Sequence, residues 1–206
     1  MNGPRSSLAK RIVDIAVAGV ALLALCPALL LIALVVRLSS PGPVLFRQSR
    51  LGRGGRPFTL LKFRTMRDGA PDLRNVDGSA YTGAGDARVT PVGRILRAAS
   101  LDELPQLFCV LAGTMSLVGP RPDQVDQLKF YSERERLKLS VKPGVTGLAQ
   151  IGGRNRISWA CRKALDVEYV ERQSLWLDLS ILLRTIPYVA FGKDIHEGTS
   201  RRECAR

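Results

Sequence analysis

The feature that most constrains this chain is an apolar stretch of 25 residues near its N-terminus. From Ile12 to Val36 it reads IVDIAVAGVALLALCPALLLIALVV, and Asp14 is its only charged residue. A straight α-helix of that length would measure about 37 Å, against a bilayer hydrocarbon core of about 30 Å. The stretch is longer than the apolar part of a cleavable signal peptide, and no A-x-A cleavage pattern follows it. It therefore predicts a membrane-inserted helix.

Two features indicate that this helix enters and leaves the membrane on one side. Cys26 and Pro27 lie at its middle, where proline removes a helical hydrogen bond and can bend the helix. Basic residues flank both ends, namely Arg5, Lys10 and Arg11 before it and Arg37, Arg47, Arg50, Arg53 and Arg56 after it. Because basic flanks favour the cytoplasm, both ends are drawn to that face, as in a re-entrant helix. A single straight span with a tolerated proline is the alternative. We expect Asp14 to reach headgroup depth or to pair with a nearby Lys or Arg.

The remainder of the chain has the composition of a basic, folded domain. Lys and Arg number 31 against 18 Asp and Glu, which gives a formal charge of +13, and 46% of residues are hydrophobic. That apolar share excludes a disordered linker. Four dispersed cysteines and one histidine predict neither a zinc site nor a disulfide framework. The breaker cluster from Ser39 to Pro43 divides a membrane segment, residues 1–40, from a cytoplasmic domain, residues 41–206.

The cytoplasmic domain is predicted to be mainly α with a small β-hairpin. Two β-prone runs between Val44 and Met66 enclose a glycine-rich tip, which is typical of a hairpin, and a long polar loop follows from Asp68 to Asp86. Helical patterns cover residues 94–111 (broken by Pro105), 123–139, 165–170 and 175–191. The last helix has few charges, which is typical of an amphipathic helix at the membrane interface or of a buried core helix.

The adjacent carboxylates Asp102 and Glu103, in SLDELPQL, are the conspicuous candidates for chemistry. Neighbours on a regular helix point about 100° apart, so both face one site only at a helix end or irregularity. The structural alternative is a helix start, either a capping box between Ser100 and Glu103 or Asp102 as the N-cap. The two interpretations are compatible. A carboxylate at a helix start among arginines would suit a nucleophile or a ligand of Mg²⁺.

Basic residues and glycines surround this pair in the sequence. Arg88, Arg94 and Arg97 precede it, Arg121 follows between Pro120 and Pro122, and VKPGVTGLAQIGGRNR carries Lys142, Arg154 and Arg156. Glycine lets a backbone approach phosphate closely, and arginine binds phosphate oxygens with a bidentate fork. Each could equally be a turn with a solvated charge. Together with the membrane helix, they favour a phosphorylated substrate at the bilayer surface.

The ordered set of motifs resembles the bacterial sugar transferase family, the monotopic phosphoglycosyl transferases also called polyprenyl-phosphate hexose-1-phosphate transferases. The resemblance extends from Lys10 to about Pro187. It rests on the apolar helix with a central proline and on the runs KFRTM, DARVT, SLDELPQL, MSLVGPRP and PGVTGLAQIGGRN, with the later Asp166, Tyr169 and Asp178.

The resemblance implies a function. Members transfer a sugar-1-phosphate from a UDP-sugar to undecaprenyl phosphate with Mg²⁺, release UMP, and act at the cytoplasmic face of the bacterial inner membrane, where downstream glycosyltransferases can follow. Asp102 would be the phosphoglycosylated nucleophile and a metal ligand, and Glu103 its partner. Substrate-binding residues would be Lys62, Arg64, Arg88, Arg97, Pro120, Arg121, Pro122 and Arg154. The apolar helix would be re-entrant and broken at Cys26 and Pro27, although the family usually has serine where this chain has Cys26.

Two other classes of function compete with this interpretation. A membrane-anchored basic module could bind anionic lipid or nucleic acid by charge alone. Aromatic residues make up only 6% of the chain, and the arginines cluster in glycine and proline turns around carboxylates, so we expect no nucleic-acid partner. A Mg²⁺-dependent phosphohydrolase acting on the same diphosphates is the second competitor, and it would release sugar phosphate without a lipid acceptor.

Overall fold

The computed structural model describes residues 8–75, 78–79, 81, 83, 85–153 and 157–190. It is mostly helical, with two small sheets. The helices are α1 (Leu8–Ser39), α2 (Pro91–Ala98), α3 (Gln106–Leu111), α4 (Leu148–Ile151), α5 (Trp159–Arg172) and α6 (Leu175–Ala190). The strands are β1 (Leu45–Leu51), β2 (Pro57–Phe63), β3 (Ser116–Val118) and β4 (Gly144–Thr146). Four short 3₁₀ turns cover Arg53–Gly55, Leu101–Glu103, Val125–Phe130 and Glu135–Ser140.

Helix α1 is long and apolar enough to cross a membrane, by length and composition. It continues as one helix through Pro27, and the bend expected at Cys26 and Pro27 stays a prediction. Proline still leaves one helical carbonyl unpaired, which permits a bend. Of residues 23–28 only Leu25 is partly covered, whereas the helix touches the rest of the protein on both sides of this stretch.

The N-terminal part of α1 is attached to β3 by polar contacts. The carboxylate of Asp14 accepts hydrogen bonds from Ser116 Oγ at 2.8 Å and from the Leu117 backbone N–H at 3.0 Å. The ammonium of Lys10 donates to the Val118 carbonyl at 3.0 Å and to Asp178 at 2.6 Å. Asp14 thus bonds to a strand a hundred residues away and not, as expected, to a nearby Lys or Arg, while its location at headgroup depth stays a prediction.

The C-terminal part of α1 is attached to β2 through Arg64. Its guanidinium donates to the carbonyls of Val36 at 3.2 Å, Ser40 at 2.7 Å and Pro41 at 2.7 Å. The Val36 carbonyl belongs to the last turn of α1, where a helix end leaves carbonyls without intrahelical partners, and Ser40 and Pro41 follow that end. The adjoining side chain of Val36 is buried against Phe63. Both ends of α1 are thus fixed to the same folded body.

The hairpin is confirmed, and a second sheet was missed. Strands β1 and β2 pair antiparallel, with Leu45 opposite Phe63 and Leu51 opposite Pro57. Strands β3 and β4 form a parallel pair of three residues each, too short to produce a readable alternation. The main core contains Val110, Met115, Val118, Tyr169 and Ile181, together with Ala18 and Leu22 of α1.

Two helical predictions need correction. Residues 123–139 do not form one helix but two 3₁₀ segments, Val125–Phe130 and Glu135–Ser140, whose charged residues bond to other parts of the fold. In residues 94–111 the interruption is longer than predicted, since it extends from Ala99 to Pro105, which immediately precedes α3. The predicted helices within α5 and α6 are confirmed.

Candidate active site

The Asp102–Glu103 pair lies in the 3₁₀ turn between α2 and α3. Ser100, at its start, has φ 56° and ψ 18°, and it is the only non-glycine residue with positive φ in the described part of the chain. The predicted capping box is absent from this turn, because the Ser100 side chain does not cap it and the Glu103 carboxylate points elsewhere. The predicted irregularity is confirmed. A strained backbone at this place is common at functional sites.

Glu103 is held between two cations. Its Oε1 accepts from Lys62 Nζ at 2.7 Å and from Arg121 Nη2 at 2.9 Å. Burial acts to raise the pKa of Glu103, but Arg121 and Lys62 together outweigh it, so that pKa lies well below its ordinary value. Glu103 is therefore a permanent anion that orients Lys62 from β2 and Arg121 from the loop after β3.

Asp102 has the opposite environment. Its side chain is buried, and no hydrogen bond or ion pair to it occurs among the residues that the structure describes. Burial raises the pKa of Asp102, and the charge of Glu103 adds to that rise, while Lys62, Arg97 and Arg121 oppose it. Two adjacent carboxylates with pKa values pushed in opposite directions take different roles. Asp102 is the one whose oxygen atoms remain available to a ligand.

Arg97 brings a further cation to the Asp102 side of the pair. Its Nε donates to Thr65 Oγ1 at 2.9 Å, which leaves both Nη groups for other partners. Burial lowers the pKa of Arg97, and the negative charge of Asp102 works against that effect. The side chain therefore contributes positive charge beside Asp102.

The Pro120–Pro122 loop is fixed through its backbone, which leaves the Arg121 side chain to the site. The carbonyl of Pro120 accepts from the Gly144 N–H at 2.9 Å, and that of Pro122 accepts from Arg50 at 3.2 Å. The N–H of Arg121 donates to Asp166 at 3.2 Å. Pro120 and Pro122 thus act here as rigid supports for Arg121.

The structure does not bring all the predicted substrate-binding residues to this site. Arg64 is occupied at the end of α1, as described above. Arg88 forms a two-oxygen ion pair with Asp86 and donates to the carbonyls of Pro71 and Tyr81, so it organises the long polar loop. Arg154 lies outside the described residues. Lys62, Arg97 and Arg121 are the predicted cations that do surround the dyad.

Three residues next to the site, Arg50, Lys138 and Asp166, were given no role there by the sequence, although Asp166 belongs to the motifs of the family resemblance. Arg50 bonds to the Pro122 carbonyl, and Lys138 pairs with Asp166, which in turn holds Arg121. The alternation of β1 could have placed Arg50 on the same face of the hairpin as Lys62. No local pattern could have paired Lys138 with Asp166, because 28 residues separate them.

The side chains at this site could hold a magnesium ion only together with substrate phosphates and water. No group of three or more metal-ligating side chains occurs in the described part of the chain. Mg²⁺ is commonly bound by one or two carboxylates together with substrate phosphates and water. The free carboxylate of Asp102 fits such a site, whereas Glu103 is already occupied by Lys62 and Arg121.

A sequence model described as "Bacterial sugar transferase" matches residues 5–192 of this chain. The chain belongs to the bacterial sugar transferase family. A similar protein, the UDP-glucose:undecaprenyl-phosphate glucose-1-phosphate transferase of Caulobacter vibrioides, is 48% identical over 190 residues, which are 87% of this chain and 69% of that protein. The exopolysaccharide production protein ExoY of Rhizobium meliloti is 42% identical over 201 residues, covering 92% and 89%.

An Escherichia coli relative whose name is also UDP-glucose:undecaprenyl-phosphate glucose-1-phosphate transferase is 43% identical over 187 residues, which are 87% of this chain and 39% of that protein. This chain is therefore a transferase enzyme and not a basic module without catalysis. The family assignment made from the motifs is confirmed.

Proposed function

We propose that this bacterial sugar transferase moves a sugar-1-phosphate from a UDP-sugar to undecaprenyl phosphate and releases UMP. Relatives named for this reaction with UDP-glucose are 43% and 48% identical to it, which makes UDP-glucose the first donor to test. The proposal rests on the different environments of the two dyad carboxylates. Asp102 has no partner among the described residues, while Glu103 fixes two cations beside it.

In the first step a carboxylate oxygen of Asp102 attacks the β-phosphorus of the UDP-sugar. A new oxygen–phosphorus bond forms, the bond from that phosphorus to the bridging oxygen breaks, and UMP leaves with the bridging oxygen and its electron pair. A buried carboxylate with a raised pKa is less stabilised by water, which favours attack. Lys62 and Arg121, oriented by Glu103, would balance the charge on the phosphate oxygens.

In the second step a phosphate oxygen of the lipid acceptor attacks the same phosphorus. The bond to Asp102 breaks, so the carboxylate is regenerated and undecaprenyl-diphosphate-sugar is released. Glu103 need not donate a proton in either step, because its low pKa keeps its carboxylate ionised. Such a product would serve as the starting lipid for downstream glycosyltransferases in a glycoconjugate pathway.

Magnesium would be held by Asp102 and by the substrate phosphates. When bound, it would neutralise charge on the diphosphate. The lysine and arginines around the dyad provide the remaining positive charge from this chain itself.

The location that supports this function is the cytoplasmic face of the inner membrane, with α1 dipping into one leaflet. Contacts at Lys10, Asp14 and Arg64 fix both ends of α1 to the folded body that carries the dyad, and the uncovered residues around Pro27 lie between them. This arrangement favours the re-entrant geometry over a straight span, which would separate the two ends by the thickness of the bilayer.

The test is to incubate purified protein with UDP-glucose and a panel of other UDP-sugars, with and without undecaprenyl phosphate, and to measure UMP. We expect sustained UMP release only when the lipid is present, because the lipid regenerates Asp102. Continuous release of sugar phosphate without lipid would show a phosphohydrolase instead. No UMP from any UDP-sugar would contradict the proposed donor class.

A further inference from the structure

Arg50 lies on the face of the hairpin that looks toward the dyad. In the β1–β2 pairing, Phe46 is opposite Lys62, Gln48 is opposite Leu60, and Arg50 is opposite Phe58. Because side chains alternate along a strand, Arg50 and Gln48 share the face from which Lys62 reaches Glu103.

Arg50 has no carboxylate partner in the part of the chain that the structure describes. Its Nη1 donates to the Pro122 carbonyl at 3.2 Å and its Nη2 to Gln48 Oε1 at 2.5 Å, while the buried Nε has no acceptor. The nearby acids are already paired, Glu103 with Lys62 and Arg121, and Asp123 with Lys138. A partly buried cation without a counter-ion is costly, and such groups are normally paired.

The charges around Arg50 indicate what kind of partner Arg50 lacks. Burial and the neighbouring charge of Arg121 lower the pKa of Arg50 to about 10. Around Arg50 and the dyad, four cations (Lys62, Arg50, Arg97 and Arg121) exceed the two dyad carboxylates, and Asp123, which also acts on Arg50, is already paired with Lys138. The excess of positive charge is what a phosphate or diphosphate would neutralise, and arginine is suited to phosphate oxygens because its planar fork donates in parallel.

We propose that Arg50 binds a phosphate oxygen of the substrate beside the Asp102–Glu103 dyad. The assignment rests on the proposed function, since it takes the ligand to be the donor diphosphate or the acceptor phosphate. Gln48 and the Pro122 carbonyl hold the guanidinium in place before substrate arrives, so little side-chain freedom is lost on binding.

The test compares Arg50→Gln with Arg47→Gln in the whole chain of 206 residues. Arg47 is an exposed residue of the same strand on its opposite face, so its replacement removes the same charge at a matched position. We expect Arg50→Gln to weaken binding of UDP, measured by calorimetry, by about tenfold or more, because a charge-assisted hydrogen bond to phosphate is lost. Arg47→Gln should bind UDP as the wild type does. Arg50→Lys should recover part of the loss, because it keeps the charge without the fork.

Kinetic measurements then identify the phosphate. A higher KM for UDP-glucose with the KM for undecaprenyl phosphate unchanged assigns the contact to the donor, and the reverse assigns it to the acceptor. Unchanged UDP affinity and unchanged KM for both substrates in Arg50→Gln overturn the proposal, even if kcat or thermal stability falls, since Arg50 would then only support the Pro122 loop. Failure of the wild type itself to bind UDP or release UMP would overturn the proposed function and this assignment with it.

Discussion

The buried ammonium of Lys138 provides a sharp test of how the Arg121 loop is held. It forms ion pairs with Asp123 at 2.9 Å and with Asp166 at 2.6 Å, and its side chain is 3% exposed. Asp166 in turn accepts from the backbone of Arg121. Burial acts to raise the pKa of Asp123, but Lys138 and Tyr131 outweigh it, so the pKa is lowered. Burial raises the pKa of Asp166, although Lys138 opposes that rise.

Replacing Lys138 with methionine keeps an unbranched side chain only one atom shorter and removes the charge that serves both carboxylates. Breaking a buried ion pair from one side costs about 3–5 kcal/mol, because the remaining charge is left uncompensated. For a protein of this size we expect thermal unfolding about 6–20 °C lower than in the wild type at neutral pH. Lys129→Met is the matched control, since Lys129 is exposed and close to the same segment, and it should change stability by less than about 0.5 kcal/mol.

The pH dependence separates this account from a simple loss of packing. In the wild type the lowered pKa of Asp123 contributes stability that is present above its unfolded pKa and is lost as pH falls through its folded pKa. Without Lys138, both carboxyl pKa values rise, so the variant is destabilised at neutral pH and recovers as the carboxyls take up protons. The difference in melting temperature should therefore narrow between about pH 8 and about pH 5. A difference that stays constant over this range would refute the ion-pair explanation.

Three further substitutions test the site and the membrane helix. Asp102→Asn should lower UMP release at least about 10³-fold with an unchanged melting temperature, and turnover near the wild-type rate would remove Asp102 from the nucleophile role. Arg121→Lys keeps the charge but loses the fork, so we expect the KM for UDP-glucose to rise about tenfold, whereas unchanged kinetics would make Arg121 structural. Pro27→Ala restores a helical hydrogen bond and favours a straight span. A single cysteine placed before Lys10 should therefore react with an impermeant reagent outside intact cells only in this variant. Labelling from outside in protein that keeps Pro27 would contradict the re-entrant geometry.

Local sequence patterns were sufficient for the elements that depend on local chemistry. The length of the apolar run, the two β-prone runs around Gly52–Gly55 and the breaker cluster at Ser39 predicted α1, the hairpin and the end of α1. The irregular turn that presents Asp102 was also predicted, because adjacent carboxylates cannot share one direction on a regular helix.

The errors concern groups whose partners are remote in the sequence. Asp14 bonds to β3 and not to a cation, and residues 123–139 form two 3₁₀ segments in which Lys138 turns inward to Asp166. In each case a charged residue in an unremarkable local pattern bonds to a backbone group or carboxylate that is far away in the sequence. Periodicity carries no information about such pairings.

The central claim is that Asp102 carries the sugar phosphate between donor and acceptor, and the mass of the intact protein tests it directly. After brief incubation with UDP-glucose in the absence of lipid, we predict a population heavier by one hexose phosphate, located on Asp102 by peptide mapping and absent from Asp102→Asn. Addition of undecaprenyl phosphate should return this population to the unmodified mass and produce the lipid-linked sugar. The account would be contradicted if protein that had acquired no adduct before lipid was added still formed that product. An adduct on a residue other than Asp102 would contradict it as well.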